Sequence, residues 1–133
     1  MDEFFGRILV IDDDPDLVEV VGEYFLGAGY EVLVANRGVD GLMLAEQKRP
    51  DVVLLDIRMA GMTGVQVLQQ LRVRLPELPV VMISGASDVQ QARSCLARGA
   101  FDYVSKPFDL NHVHRCVAAA LAQRAPGRAT SAS

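Results

Sequence analysis

Three runs of consecutive apolar residues punctuate the chain: ILVI at positions 8–11, VVLL at 52–55 and VVMI at 80–83. Continuous apolar runs of this length suit strands buried on both faces, as in a parallel sheet covered by helices. YEVLVA at 30–35 alternates more and reads as an outer strand, and AFDYVS at 100–105 as a short last one. Between the strands, apolar residues recur at helical spacing. They are Leu17, Val18, Val21, Tyr24 and Phe25; Val39, Leu42 and Met43; Val67, Leu68, Leu71 and Leu75; Val89, Ala92 and Leu96; and Leu110, Val113, Val117 and Leu121. Pro15 stands near the first helix start, and Gly27 and Gly29 end that helix. Five β-then-α units with short connections predict an α/β fold: a five-stranded parallel sheet with right-handed crossovers and helices on both faces.

Composition narrows the function. At 133 residues, 50% of them hydrophobic, the chain is one domain with room for a core. A formal net charge of −4 argues against a domain built to coat nucleic acid or an anionic membrane, so the expected partner is protein. No apolar run is long enough for a signal peptide or a membrane span, and a cytoplasmic location is expected. Cys95 and Cys116 lie far apart without metal-ligand spacing and are expected as reduced thiols. RAPGRATSAS is small and polar, which predicts a disordered tail or severed linker over residues 124–133, after a domain over 7–123 and an N-terminal extension over 1–6.

The polar residues at the strand ends carry the candidate chemistry. In a parallel sheet Asp12, Asp13, Asp56, Ser84 and Lys106 all fall at the carboxyl edge, where α/β folds bind ligands. Three carboxylates brought together repel one another and call for a cation, and hard oxygen donors with room for water suit Mg²⁺. Lys106 adds a fixed positive charge, and the Ser84 hydroxyl a hydrogen-bond donor for a phosphoryl oxygen. Together they describe a phosphoryl-transfer site with Asp56 as a carboxylate nucleophile. Taken singly, each residue has a plainer role. Asp56 and Ser84 could be strand-end caps, Lys106 a solvated lysine and Tyr103 ordinary core, while Asp14 is expected to cap the first helix. Joint occurrence at four strand ends is what favours chemistry.

Asp12 and Asp13 after ILVI, Asp56 after DVVLL, Ser84 and Gly85 after VVMI, and the YVSKPF run beginning at Tyr103 resemble the receiver domain of two-component response regulators. The resemblance covers about residues 7–121 and implies a flavodoxin-like, doubly wound sheet of strand order 2-1-3-4-5. It also implies that Asp56 is the phosphoacceptor, and that Asp12, Asp13, Asp56 and the main-chain carbonyl of Arg58 hold Mg²⁺. Lys106 would contact the phosphoryl group, and Ser84 and Tyr103 would form a switch pair. The donor would be a histidine kinase or a phosphotransfer protein. The output would be a downstream protein or a second copy, docking on the face between Val89 and Leu121. Two positions depart from the family pattern. Ala60 stands where Pro is common and is expected to loosen the loop; Gly85 stands where Ala is frequent and is expected to keep the approach to the phosphoryl group open.

Other classes fit less well. An aspartyl-phosphate phosphatase or phosphotransferase of the haloacid-dehalogenase type would place a second Asp two residues after the nucleophile, where Arg58 stands. A nucleotide-binding enzyme needs a Gly-rich turn after the first strand, and Asp12 to Asp14 would repel phosphate there. A non-phosphorylated docking receiver usually lacks one of the chemical groups, and all are present here. The chain is therefore expected to be a signalling domain that catalyses only its own phosphoryl transfer and dephosphorylation. With only a short tail after the last helix, it is expected to be either a stand-alone receiver or the N-terminal part of a larger regulator.

Overall fold

The computed structural model describes residues 4–106 and 109–132, with side chains as far as Gln123. In chain order the elements are β1 Arg7–Ile11, α1 Pro15–Gly27, β2 Glu31–Ala35, α2 Gly38–Lys48, β3 Val52–Asp56, α3 Gly64–Arg74 and β4 Val80–Ser84. A 3₁₀ turn, Ala86–Asp88, leads into α4 Val89–Ala97, followed by β5 Asp102–Ser105 and α5 Leu110–Ala132. The strands among the described residues are all parallel, as the apolar runs predict, and in the order β2-β1-β3-β4-β5 that the resemblance implies.

The apolar runs occupy the middle of the sheet because each residue there must be buried on one face or the other. Leu9, Ile11, Val53, Leu55, Val80 and Met82 pack beneath α2, α3 and α4. Ile8, Val10, Val52, Leu54, Val81 and Ile83 pack beneath α1 and α5. Each fully buried aliphatic side chain of this kind contributes roughly 1.5–3 kcal/mol, so the three central strands anchor the fold. Local signals set the helix starts. Asp14 caps α1, accepting from the N–H groups of Asp16 at 3.0 Å and Leu17 at 3.4 Å, with Pro15 in the first turn. Thr63 and Gln66 form a capping box on α3.

Two helices bury a face partly different from the one expected. On α2, Leu42 is buried as expected, but Val39 and Met43 are about half exposed, and the rest of the inward face is Gly38, Gly41 and Ala45. A Cβ on Gly38 would lie 2.7 Å from a Val67 methyl, and one on Gly41 would collide with Ile11. This helix meets its neighbours through its backbone, so the contact residues are too small to register as an apolar stripe. On α4, Ala92 is buried as expected, but Cys95 rather than Leu96 completes the inward face, and Leu96 is exposed. Residues 124–132, expected as a tail, continue α5 in the structure. The Ala-rich run at 118–122 is built of strong helix formers and carries the helix forward into them. Both cysteines are free and buried.

The start of α3 lies directly against the end of β3. The Gly64 N–H donates to the Ile57 carbonyl at 2.8 Å, and a Cβ at Gly64 would collide with the Asp56 carbonyl oxygen. Gly64→Ala should therefore cost about 3 kcal/mol, the upper end of overpacking because backbone cannot move aside as a side chain can. Gly27→Ala, whose added methyl meets nothing within 4 Å, should be neutral or slightly stabilising. Urea unfolding of the two variants measures the difference.

Candidate functional site

β1 and β3 are neighbours, yet α1 and α3 leave them toward opposite faces of the sheet. The divergence opens a crevice at the carboxyl edge, the topological switch point of a doubly wound sheet. Asp12 and Asp13 enter it from the end of β1 and Asp56 from the end of β3; one carboxylate oxygen from each lies within 4.8 Å of the others.

The three acids sit in different surroundings. Asp12 is fully buried; its Oδ1 accepts from the Asp14 N–H at 2.9 Å, while its buried Oδ2 has no hydrogen-bond partner among the described residues. Asp56 is 5% exposed and its Oδ1 accepts from the Arg58 N–H at 3.3 Å. Asp13 is exposed, and its Oδ2 accepts from the Ala60 N–H at 3.4 Å. Burial pushes the Asp12 carboxyl up to about 7, against the opposing Asp14 N–H, and the neighbouring Asp56 charge adds to the rise. Burial likewise raises Asp56, with the Lys106 charge pulling it back. An unpartnered buried oxygen among mutually repelling carboxylates is the arrangement a divalent cation with oxygen ligands fits.

A cavity of about 480 Å³ opens over these groups, lined by Asp13, Asp14, Asp56, Arg58, Gly85, Ser87, Asp88 and Lys106. The Lys106 N–H donates to the Ser84 carbonyl at 2.7 Å, which fixes the end of β5 beside β4. Ser84 is fully buried behind the cavity rather than lining it, and its hydroxyl donates to the Gly85 carbonyl at 2.8 Å. Tyr103 stands opposite Met82, so its side chain shares the Ser84 face of the sheet, packed half-buried against the core under α4. Pro107 and Phe108 lie outside the described residues.

Both departures from the family pattern acquire a physical reading. Ala60 has an N–H where proline has none, and that N–H reaches Asp13, so the position ties the loop to the acid cluster instead of loosening it. A Cβ at Gly85 would meet only Asp88 Oδ2, at an ordinary 3.5 Å, so space does not demand glycine there.

Sequence reading misses one part of the site. The Arg58 guanidinium grips Asp88 with two hydrogen bonds, Nη2 to Oδ1 at 2.6 Å and Nε to Oδ2 at 3.1 Å. The bond holds the Asp88 carboxyl below its ordinary range. The two residues are 30 positions apart and follow no periodicity; only the meeting of the β3–α3 and β4–α4 loops brings them together.

A doubly wound sheet with two buried acids, a third exposed beside them and a lysine at the carboxyl edge defines a small α/β domain with its candidate site at the topological switch point. Residues 8–118 match the family model of the response regulator receiver domain, and the chain belongs to that family. It is 39% identical over 116 residues to the regulatory protein AtoC of Escherichia coli, covering 87% of this chain and 25% of that protein. It is 40% identical over 120 residues to the DNA-binding transcriptional regulator NtrC of the same organism, covering 90% of this chain and 24% of that one. The chain thus spans about a quarter of the length of these relatives. Among solved structures, the receiver domain of NtrX from Brucella abortus superposes with a TM-score of 0.83 at 34% identity, covering 86% of this chain and 97% of its own. A response regulator receiver domain protein from Clostridium thermocellum gives 0.86 at 27%, covering 90% and 97%. No helix among the described residues is long and apolar enough to cross a membrane.

The raised Asp12 carboxyl has a pH consequence. Its folded-state value lies above the unfolded 3.8, so between about 4 and 7 the folded protein binds more protons than the unfolded chain. Stability of the metal-free protein should fall as pH rises through that window. Asp12→Asn should flatten the fall and raise stability near neutral pH by roughly 2 kcal/mol. Urea titrations in chelator at pH 5 and 7.5 check both.

Proposed function

We propose that this domain is the phosphoacceptor of a two-component system. A histidine kinase or phosphotransfer protein would present a phosphohistidine at the cavity, and an Asp56 carboxylate oxygen would attack its phosphorus as the phosphorus–nitrogen bond breaks. The released imidazole takes up a proton, and Asp56 becomes an acyl phosphate. Attack of water on that phosphorus would later return the carboxylate and inorganic phosphate, which makes the domain its own phosphatase. The observation that carries this reading is the convergence of Asp12, Asp13 and Asp56 beneath a cavity that Lys106 also lines.

Asp12, Asp13, Asp56 and the Arg58 main-chain carbonyl would hold Mg²⁺. When bound there it neutralises charge on the phosphoryl oxygens during transfer. Lys106 binds one phosphoryl oxygen through its ammonium group. The Ser84 hydroxyl turns from the Gly85 carbonyl toward another, and Tyr103, on the same sheet face, moves into the space released. The surface that responds lies between Val89 and Leu121, where a downstream protein or a second copy docks. The functional unit is residues 7–123, preceded by an extension over 1–6 and followed by a tail or linker, and it works in the cytoplasm.

Incubation with Mg²⁺ and acetyl phosphate should add one phosphoryl group, read by intact-mass spectrometry, and Asp56→Asn should lower labelling by at least about a hundredfold. Full labelling of the Asn variant would remove Asp56 as the acceptor.

The acids near the metal site should also separate. Asp13→Ala should weaken Mg²⁺ binding by about tenfold or more. Asp14→Ala should leave it within about twofold and instead cost about 1 kcal/mol of stability through the lost α1 cap. Calorimetric Mg²⁺ titrations distinguish the two, and equal losses would reduce the acids to a diffuse negative field.

A further inference from the structure

We propose that the Arg58 side chain is a further ligand of the phosphoryl group on Asp56, held in reserve by Asp88 until that group arrives; this rests on the reading of Asp56 as phosphoacceptor. Arg58 is two residues beyond Asp56, donates its own N–H to Asp56 Oδ1, and lines the same cavity as Asp56 and Lys106. Its side chain is 74% exposed, whereas that of Asp88 is 7% exposed. The arginine is therefore the partner free to swing, and its guanidinium already feels the Asp56 charge.

The two acceptors differ in strength. Asp88 offers one negative charge. A phosphorylated Asp56 offers close to two, on three oxygens, and the planar guanidinium matches that geometry with paired hydrogen bonds. That difference in affinity is what can move Arg58 from one to the other.

The idle acceptor has its own use. Asp88 occupies the N-cap position of α4, a place where aspartate ordinarily accepts from the N–H two or three residues on. Here its side chain caps nothing, and both oxygens are directed at Arg58 instead. Once Arg58 turns to the phosphoryl group, the Asp88 carboxylate is released and repelled by the new negative charge. It is then free to accept from the N–H of Gln90 or Gln91, where the helix dipole also favours it. The first turn of α4 gains a cap only in the phosphorylated state, and the signal passes from Asp56 to α4 through one exchanged ion pair.

The test uses NMR in Mg²⁺ with and without beryllofluoride as the phosphoryl mimic. In the wild type the mimic should shift the Arg58 Nε–H resonance and slow amide exchange at Gln90 or Gln91 about three- to tenfold, the size of a cap. Arg58→Ala should show the slowed exchange without the mimic and no further gain with it; Asp88→Ala should show it in neither state. The fluorine spectrum and the Ile57 amide report separately whether the mimic occupies Asp56. Failure to bind overturns the phosphoacceptor reading itself. Binding with unchanged Arg58, Gln90 and Gln91 signals overturns the exchange alone.

Discussion

Negative charge forced out of water is the constraint on which this structure turns. Asp12 and Asp56 are buried side by side at the ends of β1 and β3, and burial is the largest influence on the ionisation of each. A carboxylate placed there would relax into solvent if its strand could shift. It cannot, because Ile8 to Ile11 and Val52 to Leu55 are wholly buried and hydrogen-bonded on both sides within the sheet. The apolar middle of the sheet thus holds its polar end in an unfavourable electrostatic state, and the unpartnered Asp12 oxygen is the visible remainder of that cost. Positive charge brought to the crevice would relieve it.

The two faces of the sheet are secured by different means. Beneath α1 and α5, His114 lies between two tyrosines, with Tyr24 Oη 3.1 Å from Nδ1 and Tyr30 Oη 3.5 Å from Nε2, and Phe25 packs edge-on beside them. This aromatic cluster joins the first helix to the last. Beneath α2 the contact is made by glycines at van der Waals range of Ile11 and Val67. The α4 helix starts through a 3₁₀ turn with no side-chain cap, and that turn borders the cavity.

Most of the fold is legible in the sequence because a doubly covered parallel sheet writes itself as uninterrupted apolar runs, and ILVI, VVLL and VVMI have no other natural home. The acids, Ser84 and Lys106 are legible for a related reason: in a parallel sheet the strand ends share an edge, so chain position alone brings these residues to one place. What stays hidden depends on close approach or on loop geometry. The inward face of α2 is carried by Gly38 and Gly41, which leave no hydrophobic mark, and Val39 and Met43 misdirect the eye. The grip of Arg58 on Asp88 depends on how two irregular loops settle against each other. The Ala60 contact to Asp13 is visible only once the loop has a shape, since the sequence tells only that a proline is missing.

Gly64 gives the site a mechanical asymmetry. With its backbone pressed on the Asp56 main-chain carbonyl and its N–H donating to the Ile57 carbonyl, the α3 wall behaves as an anvil: it leaves the end of β3 no slack to shift toward α3. Across the cavity, a Cβ at Gly85 would meet only the Asp88 carboxylate, at ordinary contact range, and the chain there leads into a single 3₁₀ turn. Backbone movement at this edge is therefore easier on the β4–α4 side than at the β3–α3 junction. Packing alone selects which wall yields, so the direction of the mechanical response is already written into the resting molecule.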